Sequence, residues 1–320
     1  MRSKHIVYLD ILRILAIMGI ICIHAGIGTF FTWCNAMFIM ISGALWLSKE
    51  TLDLKKLFTK NILRIITAFI FWSVLYTFFH AVVLPHITGE HFTAKDILVM
   101  LISGRYHLWF CYLIVGIYIG LPFWKKIAES ETLLKYFLAV TFVFSFLIPC
   151  IQNIPKLEWT VYMTQNIHLD WAEYVFYFML GYFLHTHRPT KKQAAAIYVV
   201  GIVSFISIAL GIGNNLDLLR NVAILCCIFV LFQNIEQIES MISDKEWFIG
   251  QLSSLCFGVY LAHDFFLTIF QLIAISVFHF NNNFEGNIGI QICQMLFALL
   301  ASLGCTYLIR KLPRIGRFIT

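Results

Sequence analysis

Three ionisable residues lie inside the first long hydrophobic stretch of the chain, Tyr8 to Phe31: Asp10, Arg13 and His24. At about 100° per residue, an α-helix places all three within roughly 60° of one another, with Arg13 and His24 ~16 Å apart along the axis. Asp10 and Arg13 have the i, i+3 spacing that lets opposite charges pair. An imidazole titrates near neutral pH and can take up and return a proton. One helix face therefore offers a charged pair near its start and a general base near its end.

Ionisable residues at membrane depth are expensive. Insertion costs at least ~2.5–3.5 kcal/mol for each such group, so they usually face the protein interior and mark a functional path. A structural alternative remains for each residue. Asp10 and Arg13 can form a buried ion pair that only fixes the register of the helix, and His24 can be a hydrogen-bonded packing residue.

The composition predicts an all-α polytopic membrane protein. The chain has 320 residues, of which 60% are hydrophobic and 12% charged, with a mean hydropathy of +0.82, whereas about a quarter of the residues of soluble domains are charged. The net charge of +6 does not indicate nucleic-acid binding, because the basic residues flank the apolar stretches, where they set topology. The nine cysteines show no CxxC pair and no His/Cys ligand spacing, so neither a metal site nor a disulfide framework is expected.

Ten apolar stretches are candidate transmembrane helices, and the first is expected to be retained rather than cleaved as a signal peptide. With both termini cytoplasmic, eighteen Lys and Arg residues fall in inner segments and four in outer ones, Lys95, Arg105, Lys156 and Arg220. This bias fits the positive-inside rule. We expect a single transmembrane domain over residues 1–320, with spans at about 7–28, 32–47, 65–83, 108–124, 134–151, 171–185, 194–211, 221–235, 256–280 and 288–308.

Polar residues in other spans are candidates for substrate binding. His107 and Trp109 start the fourth predicted span and Glu173 starts the sixth, all at the outer level expected for His24. A histidine, an aromatic ring and a carboxylate at one depth can form a sugar-binding mouth, although Trp and His are also common interfacial anchors. In the second span, Asn35, Ser42 and Gly43 are first expected to make helix-packing contacts.

Two segments near the inner side carry further charges. The loop KETLDLKKLFTKNILR contains Lys60 and Arg64 and can bind either anionic lipid or a phosphate-bearing cytosolic ligand. In the ninth span, His263 and Asp264 are expected ~10 Å from the inner edge, at the depth of Asp10 and Arg13. The prediction is that Asp264 or Asp10 neutralises Arg13, because an unpaired guanidinium would be costly there.

Four segments together resemble the acyltransferase family three of membrane O-acyltransferases. The first is the Arg-x10-His pattern of Arg13 and His24 within YLDILRILAIMGIICIHAG, and the second is MFIMISGALWL, similar to FF-x-ISG-x-LL. The third is RYHLWFCYLIVGIYIGLP, similar to HLWF…YL…P, and the fourth is SSLCFGVYLAHDFF, which includes Tyr260 and is similar to S-x-GIYLIH. The four occur in the family's order over nearly the whole chain.

This resemblance implies a multi-pass enzyme of the bacterial cytoplasmic (inner) membrane. Such enzymes take an acyl group, usually acetyl from acetyl-CoA, and place it on a hydroxyl of an envelope or surface glycan. His24 corresponds to the family's essential histidine and Arg13 to its basic partner. The family's Arg-x-x-Arg before the third span matches Lys60-Asn-Ile-Leu-Arg64, with Asn61 replacing the first Arg. Without an extra periplasmic domain, the chain looks most like the stand-alone subgroup, which includes the enterobacterial common antigen O-acetyltransferase.

The predicted mechanism follows from these residues. The phosphates of acetyl-CoA meet Lys60 and Arg64, the acyl arm passes Arg13 with its partner Asp10, and His24 is the general base on the acceptor hydroxyl. His263, Asp264 and Tyr260 support the site. A donor for the developing oxyanion is sought among Asn35, Ser42 and His107.

Two other function classes stay open. One is a proton-coupled transporter or glycan flippase that uses His24 as a relay, although neither inverted repeats nor Gly/Pro-broken helices are visible in the two halves. The other is a ligand-sensing membrane module without catalysis. The acceptor (a lipid-linked glycan, capsule, lipopolysaccharide or teichoic acid), the choice between acetyl and succinyl, an acyl-enzyme intermediate and the oligomeric state are all left open.

Overall fold

Helices account for the regular structure of the computed structural model, which describes residues 6–28, 31–85, 92–152, 172–212, 216–235, 245–278, 284, 286–313 and 315–320. No strand occurs within these ranges. The predicted outer residue Lys156 lies outside them. The helices are α1 Val7–His24, α2 Cys34–Leu47, α3 Leu54–Val83, α4 Ala94–Ser103, α5 Trp109–Ile119, α6 Leu121–Ala128, α7 Glu131–Ile151, α8 Ala172–Thr186, α9 Lys191–Ala209, α10 Asp217–Asn234, α11 Glu246–Phe278 and α12 Ile288–Arg310.

In the described part of the chain, eight helical segments are long and apolar enough to cross a membrane. The protein is therefore an all-helical, multi-pass membrane protein, as its composition predicted. The two predicted spans that are not among the eight correspond to α2 and α8, which have 14 and 15 residues. A span of ~20 residues is the usual requirement for a ~30 Å hydrocarbon core. The count of ten spans thus stays a prediction.

Several helices extend beyond the apolar stretches that predicted them. The side chain of Asp53 accepts a hydrogen bond from the backbone N–H of Lys56, so α3 begins eleven residues before the predicted start at position 65. Likewise, α11 begins at Glu246, ten residues before the predicted start at position 256. The added part of α3 carries Lys55, Lys56 and Lys60, and the added part of α11 mixes Trp247 and Phe248 with polar residues, so hydropathy alone does not mark either start.

The chain divides into two compact units. Unit 1 comprises the described residues of Met1–Ala16, Phe30–Thr51 and Leu121–Gly250, and unit 2 those of Ile17–Thr29, Leu52–Gly120 and Gln251–Thr320. The first half of α1 therefore belongs to unit 1, and its last residues belong to unit 2.

Within unit 1, the short helices α2 and α8 pack backbone to backbone. A Cβ added at Gly43 would lie 1.7 Å from the carbonyl oxygen of Phe178, and one added at Gly181 would lie 2.0 Å from that of Met40. Small residues allow this close approach, which is typical of membrane helix pairs. Gly43 belongs to the small and polar set for which helix packing was predicted, and that role is confirmed for it.

Within unit 2, α3 is tied to α11 through Tyr76. Its hydroxyl donates to the carbonyl oxygen of Leu261 at 2.9 Å and accepts from the backbone N–H of Phe265 at 3.0 Å. Helices α11 and α12 meet where Gly258 faces the Thr306 side chain. Backbone groups freed from a helix need partners inside a membrane protein, since lipid offers none. These contacts fix the part of α11 that carries His263 and Asp264.

Candidate functional site

His24 is the last residue of α1, and the chain turns sharply after it. The backbone N–H of Gly26 bonds to the carbonyl of Ile23, and that of Ile27 bonds to the carbonyl of Cys22, both at 3.0 Å. This is the Schellman arrangement that ends helices at a left-handed residue, and Gly26 has φ +80°. His24 is half-buried at this corner. Its position at a helix end leaves one side of the imidazole ring accessible.

A second segment reaches the same place from the turn between α4 and α5. Gly104 ends α4 with φ +69°, and the next residues form a short 3₁₀ turn, Tyr106–Leu108. A side chain at Gly104 would collide with the ring of Phe69 and the hydroxyl of Ser73, at 2.9 and 3.0 Å. The glycine therefore lets the turn pack closely on α3.

The third contribution comes from the middle of α11, where His263 and Asp264 are both buried. The Nδ1 of His263 lies 2.6 Å from the backbone carbonyl of Tyr260, one turn earlier. The hydroxyl of Tyr260 in turn donates to the backbone carbonyl of His107. Tyr260 thus links the α4–α5 turn to the helix that carries His263.

These segments bring three histidines together within unit 2. The ring centroid of His24 lies 5.1 Å from that of His263 and 6.4 Å from that of His107, and the last two are 4.8 Å apart. Asp264 joins the cluster through Tyr106, whose hydroxyl lies 2.8 Å from Asp264 Oδ1 and 3.2 Å from His24 Nδ1. We call these five residues the histidine cluster.

Asp264 has a different cationic partner from the one predicted. Its Oδ2 accepts a hydrogen bond from Arg105 Nε at 2.7 Å. The ring of His263 lies 5.1 Å from that of His24, which is eleven residues beyond Arg13 on α1, so the placement of His263 and Asp264 at the depth of Arg13 is wrong. The depth was counted from residue 256, whereas α11 begins at Glu246, and His263 is therefore ~25 Å along the helix rather than ~10 Å. The other proposed partner is confirmed, since Arg13 Nη1 donates to Asp10 Oδ1 at 3.2 Å.

Several buried polar atoms of this region have no hydrogen-bond partner among the described residues. They include both ring nitrogens of His107 and the Nε2 of His263. A cavity of about 100 Å³ lies beside the cluster, lined by Tyr106 and Arg105 together with Thr77 and His80. Thr77 Oγ1 and His80 Nε2 are likewise unpartnered among the described residues. Buried polar groups in native proteins are nearly always satisfied, so these atoms indicate a place for water or a polar ligand.

The remaining residues predicted to bind substrate are divided between the two units. Trp109 starts α5 in unit 2 and is 39% exposed. Asn35, Ser42 and Glu173 belong to unit 1, where the first two lie on α2 and Glu173 lies in the first turn of α8; all three are partly buried. His107 therefore lies near His24 within unit 2, whereas the other two candidate oxyanion donors, Asn35 and Ser42, belong to unit 1.

The two residues predicted to meet phosphate differ in their surroundings. Lys60 is exposed on the π-helical stretch Leu57–Ile62 of α3. Arg64 is partly buried, and its Nη2 donates to the backbone oxygen of Thr320 at 2.6 Å. Its guanidinium also lies 5.6 Å from the ring of Phe257. Lys60 is thus open to a phosphate, whereas Arg64 already holds the segment that ends at Thr320.

One residue of the cluster, Tyr106, and the neighbouring Arg105 were missed as site residues from the sequence. Arg105 was counted only as an outer charge, and Tyr106 was noted only as part of the segment RYHLWF. A signal was available, because a carboxylate at position 264 inside an apolar helix requires a cation. Arg105 is one of only four outer basic residues by the topology count.

No group of three or more His, Cys, Asp or Glu side chains in the described ranges is arranged to hold a metal ion. Comparison with protein families matches residues 6–311 to a family described as an acyltransferase domain, acyltransferase family three. Neither a curated protein nor a solved structure matches the chain. Because the match spans nearly the whole chain, and because the matched segments build the cluster around His24, this multi-pass membrane protein belongs to acyltransferase family three.

Proposed function

We propose that the protein is a membrane O-acetyltransferase. It moves an acetyl group from cytosolic acetyl-CoA to a hydroxyl of an envelope or surface glycan, in a bacterial cytoplasmic membrane crossed ten times with both termini inside. The observation that carries the proposal is the half-buried His24 beside His107, His263 and Asp264 in a chain of an acyltransferase family. The stand-alone subgroup that its motifs resemble includes an O-acetyltransferase of a lipid-linked envelope glycan.

His24 acts as general base on the acceptor hydroxyl. The hydroxyl oxygen forms a bond to the acetyl carbonyl carbon, the carbon–sulfur bond of the thioester breaks, and His24 passes the hydroxyl proton to the departing CoA thiolate. One residue can do both because neutral imidazole and imidazolium are both accessible near neutral pH. The position of His24 at the end of α1 exposes the ring to a substrate while the cluster holds its other side.

His107 is the favoured donor to the oxyanion. It belongs to the same unit as His24, with ring centroids 6.4 Å apart. A neutral imidazole always carries one N–H, and neither ring nitrogen of His107 has a partner among the described residues. A buried donor without a ground-state partner is suited to a charge that appears only in the transition state. Asn35 and Ser42 lie on α2 in unit 1 and lack this supporting geometry.

The cavity beside Tyr106 is the proposed place for the neighbouring polar groups of the acceptor. Arg105 lines this cavity, and the Asp264 carboxylate balances its positive charge. The hydroxyl of Thr77 and the Nε2 of His80 are available as uncharged hydrogen-bonding groups. A neutral, hydroxyl-bearing acceptor group fits these partners.

On the donor side, Lys60 and the paired Asp10 and Arg13 carry the proposal. Lys60 is exposed and can meet a CoA phosphate. Arg13 lies eleven residues before His24 on the continuous helix α1, a rise of ~16 Å that suits an extended acyl arm. Asp10 holds the Arg13 guanidinium in place through their hydrogen bond. Arg64 already donates to the backbone oxygen of Thr320, so a phosphate bound by Arg64 must leave room for that contact.

Purified protein in liposomes, with labelled acetyl-CoA and an envelope-glycan extract, tests the proposal. Label should appear on the glycan, and free CoA should be released only when the extract is present. His24→Gln should reduce turnover by at least ~10²-fold, the usual contribution of a general base. The matched control is His187→Gln, because His187 is a partly exposed histidine of unit 1 outside the cluster.

Two outcomes would contradict the proposal in different ways. Full activity in His24→Gln would remove His24 from the mechanism. Movement of glycan or protons across the bilayer without CoA release would instead indicate a flippase or proton-coupled transporter with His24 as its relay.

A further inference from the structure

Hydrogen-bond directions in the histidine cluster fix where the proton of His24 lies. An ionised carboxylate can only accept hydrogen bonds, and a tyrosine hydroxyl has a single proton to donate. Tyr106 lies within hydrogen-bond distance of both Asp264 Oδ1, at 2.8 Å, and His24 Nδ1, at 3.2 Å. The Asp264 carboxylate is held in its ionised form by Arg105, whose Nε donates to the other oxygen at 2.7 Å.

The Tyr106 proton must therefore go to Asp264, because Asp264 has none to give. The Tyr106 oxygen then serves His24 only as an acceptor, and the bond between them requires a proton on His24 Nδ1. A neutral imidazole carries one N–H, so Nε2 is left with a free lone pair. No described residue forms a hydrogen bond with His24 Nε2.

We infer that Tyr106 and Asp264 are positioning residues that hold neutral His24 in its Nδ1–H tautomer, so that Nε2 is the atom that takes the acceptor proton. The inference rests on the proposed function for the role of His24 as base. Catalytic triads use a carboxylate bonded directly to histidine for this purpose, whereas here a tyrosine hydroxyl stands between the two. When Nε2 gains a proton, the Nδ1–H bond to Tyr106 is kept, and the Asp264 charge stabilises the imidazolium from one side chain away.

His263 is fixed by the same rule and does not compete. Its Nδ1 faces the Tyr260 carbonyl, which can only accept, so the His263 proton lies on Nδ1 as well. Its Nε2 is then an unprotonated atom without a partner among the described residues. Neutral His263 therefore has no ring proton left to donate to His24 Nε2, which stays open to a substrate hydroxyl.

The test is ¹⁵N NMR of histidine-labelled protein in detergent micelles, with the His24 signals assigned by their loss in His24→Gln. The wild type should show a protonated Nδ1 and an unprotonated Nε2. In Tyr106→Phe, which removes only the hydroxyl of a side chain that is 52% exposed, the Nε2–H tautomer should become populated. Turnover should fall ~10–100-fold with the KM for acetyl-CoA unchanged, because Tyr106 makes no proposed contact with the donor.

Tyr112→Phe is the matched control. Tyr112 is 53% exposed and its hydroxyl donates to the backbone oxygen of Ile102, so this variant also loses one tyrosine hydroxyl bond but leaves His24 untouched. Its His24 signals and turnover should equal those of the wild type. As a second variant, Asp264→Asn introduces an amide that can donate to Tyr106. The Nε2–H tautomer of His24 should become populated in this variant as well.

A protonated Nε2 in the wild type, or an unchanged tautomer in Tyr106→Phe, would overturn the inference and leave the acyltransferase proposal standing. An Nδ1–H tautomer of His24 in a protein that transfers no acetyl group would overturn the acyltransferase proposal and leave the inference about the tautomer standing. The two failures are therefore distinguishable, because NMR reports on the tautomer without requiring turnover.

Discussion

Arg105 and Asp264 form an ion pair of 2.7 Å between Nε and Oδ2, although 159 residues separate them in the chain. The pair joins the α4–α5 turn to the middle of α11. Because Tyr106 and His107 follow Arg105 directly, the pair also holds these two residues beside His24. The same contact therefore neutralises a buried carboxylate and sets the position of the turn against His24.

Removing both members of this pair should cost less than the sum of the costs of removing each alone. Arg105→Gln leaves Asp264, whose side chain is 5% exposed, without a cation. Breaking a fully buried pair costs about 3–5 kcal/mol, but the Arg105 side chain is 32% exposed, so we expect about 1–3 kcal/mol after allowing for solvent screening. The double variant Arg105→Gln/Asp264→Asn should be less destabilised than the sum of the two single variants. Unfolding in mixed detergent micelles measures this coupling.

An exposed ion pair provides the control for that cycle. Lys135 and Glu131 lie 2.5 Å apart on α7, with side chains 57% and 58% exposed. Lys135→Gln should leave the unfolding free energy unchanged, because exposed pairs are screened. Strict additivity at Arg105 and Asp264 would show that the buried pair contributes nothing to the stability of unit 2.

The membrane class could be predicted from hydropathy, but helix ends could not. Apolar stretches locate the parts of a helix that face lipid, whereas α3 begins with a lysine-rich stretch and α11 with a mixed one, EWFIGQLSS, and neither stands out by hydropathy. Ten residues added at the start of α11 correspond to ~15 Å, which moved Asp264 from the predicted level of Arg13 to that of His24. Asp264 therefore pairs with Arg105 beside His24, whereas Asp10, the other partner predicted for Arg13, does bind it.

The histidines of the site could be predicted, and the residues that orient them could not. His24, His107 and His263 are recognisable because ionisable groups in apolar spans are unusual. Tyr106 is an ordinary interfacial residue by type. Its role depends on the left-handed turn at Gly104, which directs the chain towards α11. A contact of this kind follows from tertiary geometry and leaves no periodic pattern in the sequence.

The backbone contact between α2 and α8 should tolerate no side chain. Gly43→Ala would place a methyl group 1.7 Å from the Phe178 carbonyl oxygen, and Gly181→Ala would place one 2.0 Å from that of Met40. Overpacking costs about 1–3 kcal/mol and more where backbone must move, so both variants should unfold at lower temperature. Gly116→Ala is the control, because no atom lies within 4 Å of the added Cβ there. Equal melting temperatures for Gly43→Ala and Gly116→Ala would mean that α2 and α8 can move apart to accept a methyl group without loss of stability.

Lys60 and Arg64 should separate donor binding from stability. Lys60→Ala should raise the KM for acetyl-CoA several-fold without changing the melting temperature, because Lys60 is exposed. Arg64→Ala should lower the melting temperature and speed proteolysis of the segment that ends at Thr320, since it removes the 2.6 Å bond to that residue. Lys192→Ala, at an exposed lysine of α9, is the control for general charge effects. A KM unaffected by Lys60→Ala would exclude Lys60 from phosphate binding.

Thr77→Val tests the cavity beside Tyr106. The substitution keeps the shape of a side chain that is 6% exposed and removes a hydroxyl without a partner among the described residues. Stability should be unchanged or slightly raised, because an unsatisfied polar group is lost. The KM for the glycan acceptor should rise while the KM for acetyl-CoA stays the same, because Thr77 lines the proposed acceptor cavity and makes no proposed contact with the donor. An unchanged acceptor KM would mean that the cavity holds water rather than the acceptor.

His107→Phe should reduce activity without reducing stability. Both ring nitrogens of His107 are buried and lack partners among the described residues, so an apolar ring of similar size removes no hydrogen bond and relieves a desolvation cost. The bond from Tyr260 goes to the backbone carbonyl and survives the substitution. If His107 donates to the oxyanion, kcat should fall by about 10²–10³-fold, as for other single oxyanion donors. Loss of stability together with activity would show a structural role, whereas full activity would return the oxyanion to another donor.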